Sequence, residues 1–216
     1  MNYEKKHGAP FPVIEVMLNQ NEEICIEPGT MVYSDPTLSF ETVFNAQRQR
    51  RAGGKKVSMF SSANKLLTVV RGTQPSRLAV APCVPGDIIE LFCDDSSAQQ
   101  WNIIGGAFLA CDMAISFEVL QGAWAGAVSG GIPLVILQTS GTGSCMVDSC
   151  GVLQKINLNG QKVINVDVNH LVAWSTGLQY TTFRQRGTSW IDFTAQFSGH
   201  GSIILQSNCR IAPSGK

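Results

Sequence analysis

The sequence predicts an all-β fold built from three copies of one strand–turn–strand unit. Three observations carry that expectation. Helical periodicity is scarce, short apolar runs alternate with turn residues, and one pattern recurs three times along the chain. No stretch of twelve or more residues keeps an i, i+3, i+4 apolar stripe free of Gly and Pro, which removes the usual signature of a surface helix. The segment from Ser61 to Val69 offers at most one or two helical turns.

The recurring pattern reads GTMVYSDPTLSFET around Met31, GAFLACDMAISFEV around Phe108 and NHLVAWSTGLQYTT around Leu171. Without gaps, Met31, Phe108 and Leu171 share a column, as do Leu38, Ile115 and Leu178, then Phe40, Phe117 and Tyr180. The copies are displaced by 77 and 63 residues, so the segments between them differ in length. In each copy the first run is apolar at successive positions, as in a strand covered on both faces. The turns follow at Asp35-Pro36-Thr37, Asp112-Met113-Ala114 and Ser175-Thr176-Gly177. There Asp and Ser accept bonds from nearby backbone, and Pro36 pre-sets φ. The second run alternates: Leu38 and Phe40 oppose Ser39 and Glu41, and Ile115 and Phe117 oppose Ser116 and Glu118. The expectation is three hairpins at Met31–Thr42, Phe108–Val119 and Leu171–Thr182. Gly29, Gly106 and Asn169 precede the units and predict a shared left-handed bend.

A second element, Ser140-Gly141-Thr142-Gly143-Ser144 and Ser198-Gly199-His200-Gly201-Ser202, precedes β-rich residues rather than a helix. It reads as a hairpin turn and not a phosphate loop, which needs a helix N-terminus. The whole chain, residues 1–216, is expected to be one domain with repeats at about 23–93, 94–158 and 159–209.

Val166–Trp174, Ser198–Ser202 with Leu205-Gln206-Ser207, and Gly105–Ala110 carry a family resemblance. The chain resembles, from about Pro28 to Ser207, the altered-inheritance-of-mitochondria family of mitochondrial biogenesis proteins and their bacterial relatives. That family is similar in fold to the tryptophan RNA-binding attenuation protein. The resemblance implies an attenuation-protein-like β-sandwich or double-stranded β-helix and brings no catalytic motif. Fungal members have a targeting presequence that this chain lacks, so the resemblance implies a bacterial, cytoplasmic relative.

Composition narrows the function classes. The 216 residues are 44% hydrophobic and 15% charged, as in a globular protein. Lys+Arg 16 balance Asp+Glu 16, without the positive excess of proteins that live on phosphate backbones. The N-terminal MNYEKKHGAPFP has no continuous apolar stretch, and the run from Ala123 to Leu137 is too short and glycine-broken for a span. The seven cysteines, odd in number and irregularly spaced, predict thiols of a reducing compartment and no disulfide.

Catalytic constellations are missing from the pattern. His7, His170 and His200 form no H-x-H or H-x-D pair, Cys145 and Cys150 are too loosely spaced for zinc, and there is no G-x-S-x-G elbow. The expectation is no enzyme, no cofactor and no metal. The one charge cluster, Arg48, Arg50, Arg51, Lys55 and Lys56, is a possible anion-binding loop. It lacks the aromatic residues that stack on bases. The sequence therefore predicts a scaffold or assembly protein that contacts itself or another protein. Alternatives are a weak nucleic-acid or anionic-surface binder through residues 48–56, and a small-ligand binder lined by Trp101, Trp124, Trp174 or Trp190. The uncharged stretch from Gly122 to Gly143, holding Trp124, Val128, Ile132 and Leu134, favours a homo-oligomer.

Overall fold

The computed structural model describes residues 1–44, 65–120, 135–184 and 193–209, and the backbone at 128–129 and 132–133. The first strands are β1 (Tyr3–Lys6), β2 (Val13–Leu18), β3 (Glu23–Ile26), β4 (Met31–Ser34), β5 (Leu38–Phe44), β6 (Leu66–Gly72) and β7 (Ser76–Val80). Next come β8 (Ile88–Cys93), β9 (Trp101–Ile104), β10 (Phe108–Asp112), β11 (Ser116–Leu120), the two-residue strands β12 (Val128–Ser129) and β13 (Ile132–Pro133), β14 (Ile136–Ser140) and β15 (Gly143–Asp148). The last are β16 (Leu153–Asn159), β17 (Ile164–Asp167), β18 (Leu171–Ser175), β19 (Gln179–Arg184), β20 (Phe193–Ser198) and β21 (His200–Gln206). Two single 3₁₀ turns, Gly105–Ala107 and Val168–His170, introduce β10 and β18.

All pairings are antiparallel. The main sheets run β1-β2-β7-β4, β5-β6-β3-β10-β15-β8, β11-β14-β9-β18-β21-β16 and β17-β20-β19. One order of pairing occurs at three places: β2-β7-β4 with β5-β6-β3, β8-β15-β10 with β11-β14-β9, and β16-β21-β18 with β19-β20-β17. A bulge falls at the second residue of the third strand each time, between Met31 and Tyr33, Phe108 and Ala110, and Leu171 and Ala173. Two further pairings, β3 with β10 and β9 with β18, weld these groups together.

The all-β reading holds, but three local expectations do not. The strand–turn–strand units are not hairpins. β4 and β5, β10 and β11, and β18 and β19 fall in different sheets, so each turn is a corner. The Gly-rich turns are corners as well, carrying β14 to β15 and β20 to β21 across sheets. The reason is a long-range bond. Asp35 Oδ2 accepts from Arg77 N at 2.8 Å, Asp112 Oδ2 from Ser144 N at 2.7 Å, and Ser175 Oγ from Ser202 N at 2.9 Å. The corner side chain therefore caps the next strand of its own sheet, while the same residue's carbonyl accepts from the backbone three positions ahead, from Leu38, Ile115 and Leu178 at 3.2, 3.0 and 3.1 Å.

The left-handed bend exists at one position. Gly29 has φ +86°, whereas Gly106 and Asn169 are the middle residues of 3₁₀ turns without positive φ. Asp167 holds the second of these turns by accepting from Asn169 N at 2.9 Å. The suggested helical turn near Ser61–Val69 is strand from Leu66 onward, and residues 61–64 lie outside the described residues.

Three apolar clusters fill the layers. The largest joins Phe108, Phe117, Ile103, Leu137 and Ile204, with the Phe108 and Phe117 rings edge-to-face at 5.0 Å. A second gathers Ile14, Ile24, Leu78 and Leu109, and a third Trp174, Phe197 and Val168. Edge-to-face pairs contribute about 0.5–1.5 kcal/mol beyond area burial. Cys25, Cys111 and Cys145 stand opposite one another across β3, β10 and β15, fully buried. All seven cysteines are thiols.

Candidate interaction edges

Interior strands β10 and β18 are covered on both edges. β10 lies between β3 and β15, and β18 between β9 and β21. Their positional counterpart β4 pairs only with β7, and β17, the counterpart of β3 and β9, pairs only with β20. Among the described residues these two strands each present one unpaired edge.

Side chains follow the same division. Met31, Val32 and Tyr33 on β4 are 48%, 54% and 44% exposed. Their counterparts Phe108, Leu109 and Ala110, and Leu171, Val172 and Ala173, are buried. Phe40 is also exposed where Phe117 is buried. At the other end, Ile164 is half-buried and Asn165 exposed on β17, and Val163 just before it is exposed. Apolar side chains grouped along an open strand edge are what soluble monomers avoid.

Tyr33 stands where β10 and β18 carry Ala110 and Ala173, and its hydroxyl reaches over Ala79 to donate to Glu15 Oε2. Lys6 Nζ donates to Glu15 Oε1 at 2.7 Å. These bonds, Lys6's first and Tyr33's second, hold the Glu15 carboxyl below the usual carboxylate range. The same bond to Glu15 raises the Tyr33 phenol.

The edge of β17 is constructed like that of β9. Gln196 Nε2 donates to Asn165 Oδ1 at 3.0 Å, as Gln138 Nε2 donates to Asn102 Oδ1 at 3.1 Å. Asn102 is buried beneath the neighbouring β18, where it faces Trp174. Asn165 faces solvent.

The other candidates are more dispersed. Arg48, Arg50, Arg51, Lys55 and Lys56 lie outside the described residues, as do Trp124, Trp190 and most of the apolar run before Val135. Trp101 and Trp174 are core side chains, and Trp101 Nε1 donates to Phe92 O at 3.0 Å. A cleft of about 290 Å³ among the described residues is lined by Asp95, Ala98, Gln100, Gln138, Thr139 and Thr176. Its polar groups bond one another, Gln100 to Asp95 at 2.7 Å and Thr139 to Gln100 at 2.7 Å. His170 holds Gln206 O at 2.8 Å and lies 3.6 Å from Cys209 Sγ, His7 is in a left-handed turn, and His200 packs on Gly160. Among the described residues no three His, Cys, Asp or Glu side chains gather as a metal site, and no helix is long and apolar enough to cross a membrane.

The sequence does not single out β4 and β17 as open edges, although a signal for the first exists. Tyr33 stands in the column that holds Ala110 and Ala173.

Comparison with known proteins gives one consistent answer. The family model described as Mitochondrial biogenesis AIM24 matches residues 3–208. An uncharacterised protein of Streptococcus pyogenes serotype M6 is 28% identical over 216 residues, spanning 96% of this chain and 86% of that protein. A crystal structure of a Streptococcus pyogenes protein superposes with a TM-score of 0.75 at 24% identity, covering 96% of this chain and 94% of that one. That likeness establishes the fold.

Proposed function

We propose that this chain, which belongs to the mitochondrial biogenesis AIM24 family, is a non-catalytic cytoplasmic scaffold of three β modules that acts through its β surface. In this reading each module is the span closed by the pairing of β2 with β7, β8 with β15 and β16 with β21, about residues 13–80, 88–148 and 153–206. Modules that bury their faces only against neighbours form a quasi-linear array, whose ends stay apolar unless capped.

The observation that carries the reading is the contrast at the ends of this array. Met31, Val32 and Tyr33 are exposed where every counterpart is buried. Such a strand serves protein contact, either with another copy or with a different protein, by main-chain pairing.

The test uses host extract under native conditions. The chain should migrate in a complex larger than its own 23.3 kDa, and Met31→Lys with Val32→Lys should release it. A complex that keeps its size in this variant would overturn the assignment of the surface.

A further inference from the structure

We infer that the β17 edge of one copy pairs with the β4 edge of a second copy, head to tail, and so repeats between chains the junction that the chain already makes twice within itself. The inference rests on the three-module reading and narrows its partner to a second copy of this chain. The two internal junctions share one register. Ala110 lies opposite Ile26 and Cys111 opposite Cys25, while Ala173 lies opposite Ile103 and Trp174 opposite Asn102. The displacements of 77 and 63 residues that relate Met31, Phe108 and Leu171 also relate Ile24, Trp101 and Ile164. Applied to the open edges of β4 and β17, they place Tyr33 opposite Val166 and Ser34 opposite Asn165.

Backbone direction agrees. Asp35 N donates inward to Arg77 O at 2.9 Å, so alternation turns the Ser34 N–H outward. Glu27 N donates to Leu109 O across the first junction at 2.9 Å, so Cys25, and with it its counterpart Asn165, faces the open side of its strand. Asn165 is also held by Gln196 as Asn102, in the occupied junction, is held by Gln138. One bond is lost. Thr176 N donates to Gln100 O at 2.9 Å in the second junction, whereas Pro36 in the corresponding place has no N–H. The apolar side chains at the two ends, exposed Met31 and Val32 against half-buried Ile164, supply a contact of the kind that buries their counterparts Phe108, Leu109 and Trp101 in the occupied junctions.

A contact between unlike edges gives each chain one donor and one acceptor end, and assemblies close into rings or extend as filaments. Purified wild-type chain at tens of micromolar should therefore have a mass that is a multiple of 23.3 kDa. Ser34→Pro blocks one end and Asn165→Pro the other, and edge strands tolerate proline. Each variant alone should be a monomer by light scattering, with wild-type far-UV circular dichroism, and a mixture of the two should form a one-to-one complex. A register check needs no proline. Ser34→Lys with Asn165→Lys in one chain should dissociate the assembly, and Ser34→Glu with Asn165→Lys should restore it.

Folded single variants that keep the wild-type mass, a mixture that stays monomeric, or charge pairs that behave alike would each overturn the inference. A monomeric wild type would also overturn it. The scaffold reading would survive that result if the complex in host extract still depended on Met31 and Val32.

Discussion

Phe108 and Met31 occupy one position in two strands that share a bulge, the same order of partners and a capped corner. Phe108 is 2% exposed and Met31 48%. The difference lies in what comes alongside, because β3 covers the edge of β10 and no described strand covers β4. Burial here is thus a property of the neighbour, not of the segment's own pattern.

The sharpest way to break that comparison is a pair of truncations. Phe108→Ala should cost about 3–5 kcal/mol by chemical denaturation, as for other buried aromatics. Met31→Ala, measured in the dissociated Ser34→Pro background, should cost less than about 1 kcal/mol. Equal losses would mean that β4 is supported in a way that its exposure hides.

A smaller contrast concerns backbone. A Cβ at Gly141, φ +100°, would lie 2.1 Å from Ala114 O, whereas Gly29, φ +86°, has open space around it. Gly141→Ala combines left-handed strain with a clash against main chain and should cost about 2–4 kcal/mol. Gly29→Ala carries the strain alone, about 1–2 kcal/mol. Melting both variants beside wild type decides it, and a reversed order would show the stacked corners to be looser than drawn.

The occupied junction also holds a titrating group. Glu27 follows β3 and lies beside Lys65 Nζ at 2.8 Å, and Lys65 donates to Gly105 O at 2.7 Å. Burial raises the Glu27 carboxyl above its ordinary value, opposed by the Lys65 charge and hydrogen bond. A carboxyl that holds its proton more tightly when folded makes stability fall as pH rises from the ordinary glutamate range to the folded value. Denaturation midpoints across that window should decline in wild type and flatten in Glu27→Gln. An unchanged slope would place the titration elsewhere.

The smallest effect is expected from the basic cluster of residues 48–56. Replacing Arg48, Arg50, Arg51, Lys55 and Lys56 with Ser should shift stability by no more than about 0.5 kcal/mol. It should also abolish retention on heparin that weakens steeply with salt. Tight RNA binding that survived the change would contradict a weak, sequence-independent contact.

The all-β character was legible because strand alternation is a local signal, plain in Leu38–Glu41 and Ile115–Glu118. Their pairing was not. A strand followed by a short turn and another strand reads as a hairpin, and nothing local in Asp112 reveals that its carboxylate is taken by Ser144 N. Likewise Ser140–Ser144 looked like an ordinary turn, while its glycines are required by the approach of Asp112 and Ala114 from the corner that follows β10. The candidate edges stayed hidden for the same reason. Val32 and Leu109 look alike in sequence, and only the sheet order separates them.

The same sheet order sets a timetable for synthesis. Cys25 on β3 pairs with Cys111 on β10, so β3 leaves the ribosome 86 positions ahead of its second partner. At about 5–20 residues per second, that side of β3, flanked by Ile24 and Ile26, remains open for roughly 4–17 s. Every nascent chain thus passes through a state that displays an apolar template strand. Translation rate and chaperone occupancy over the first half of the message then become determinants of yield.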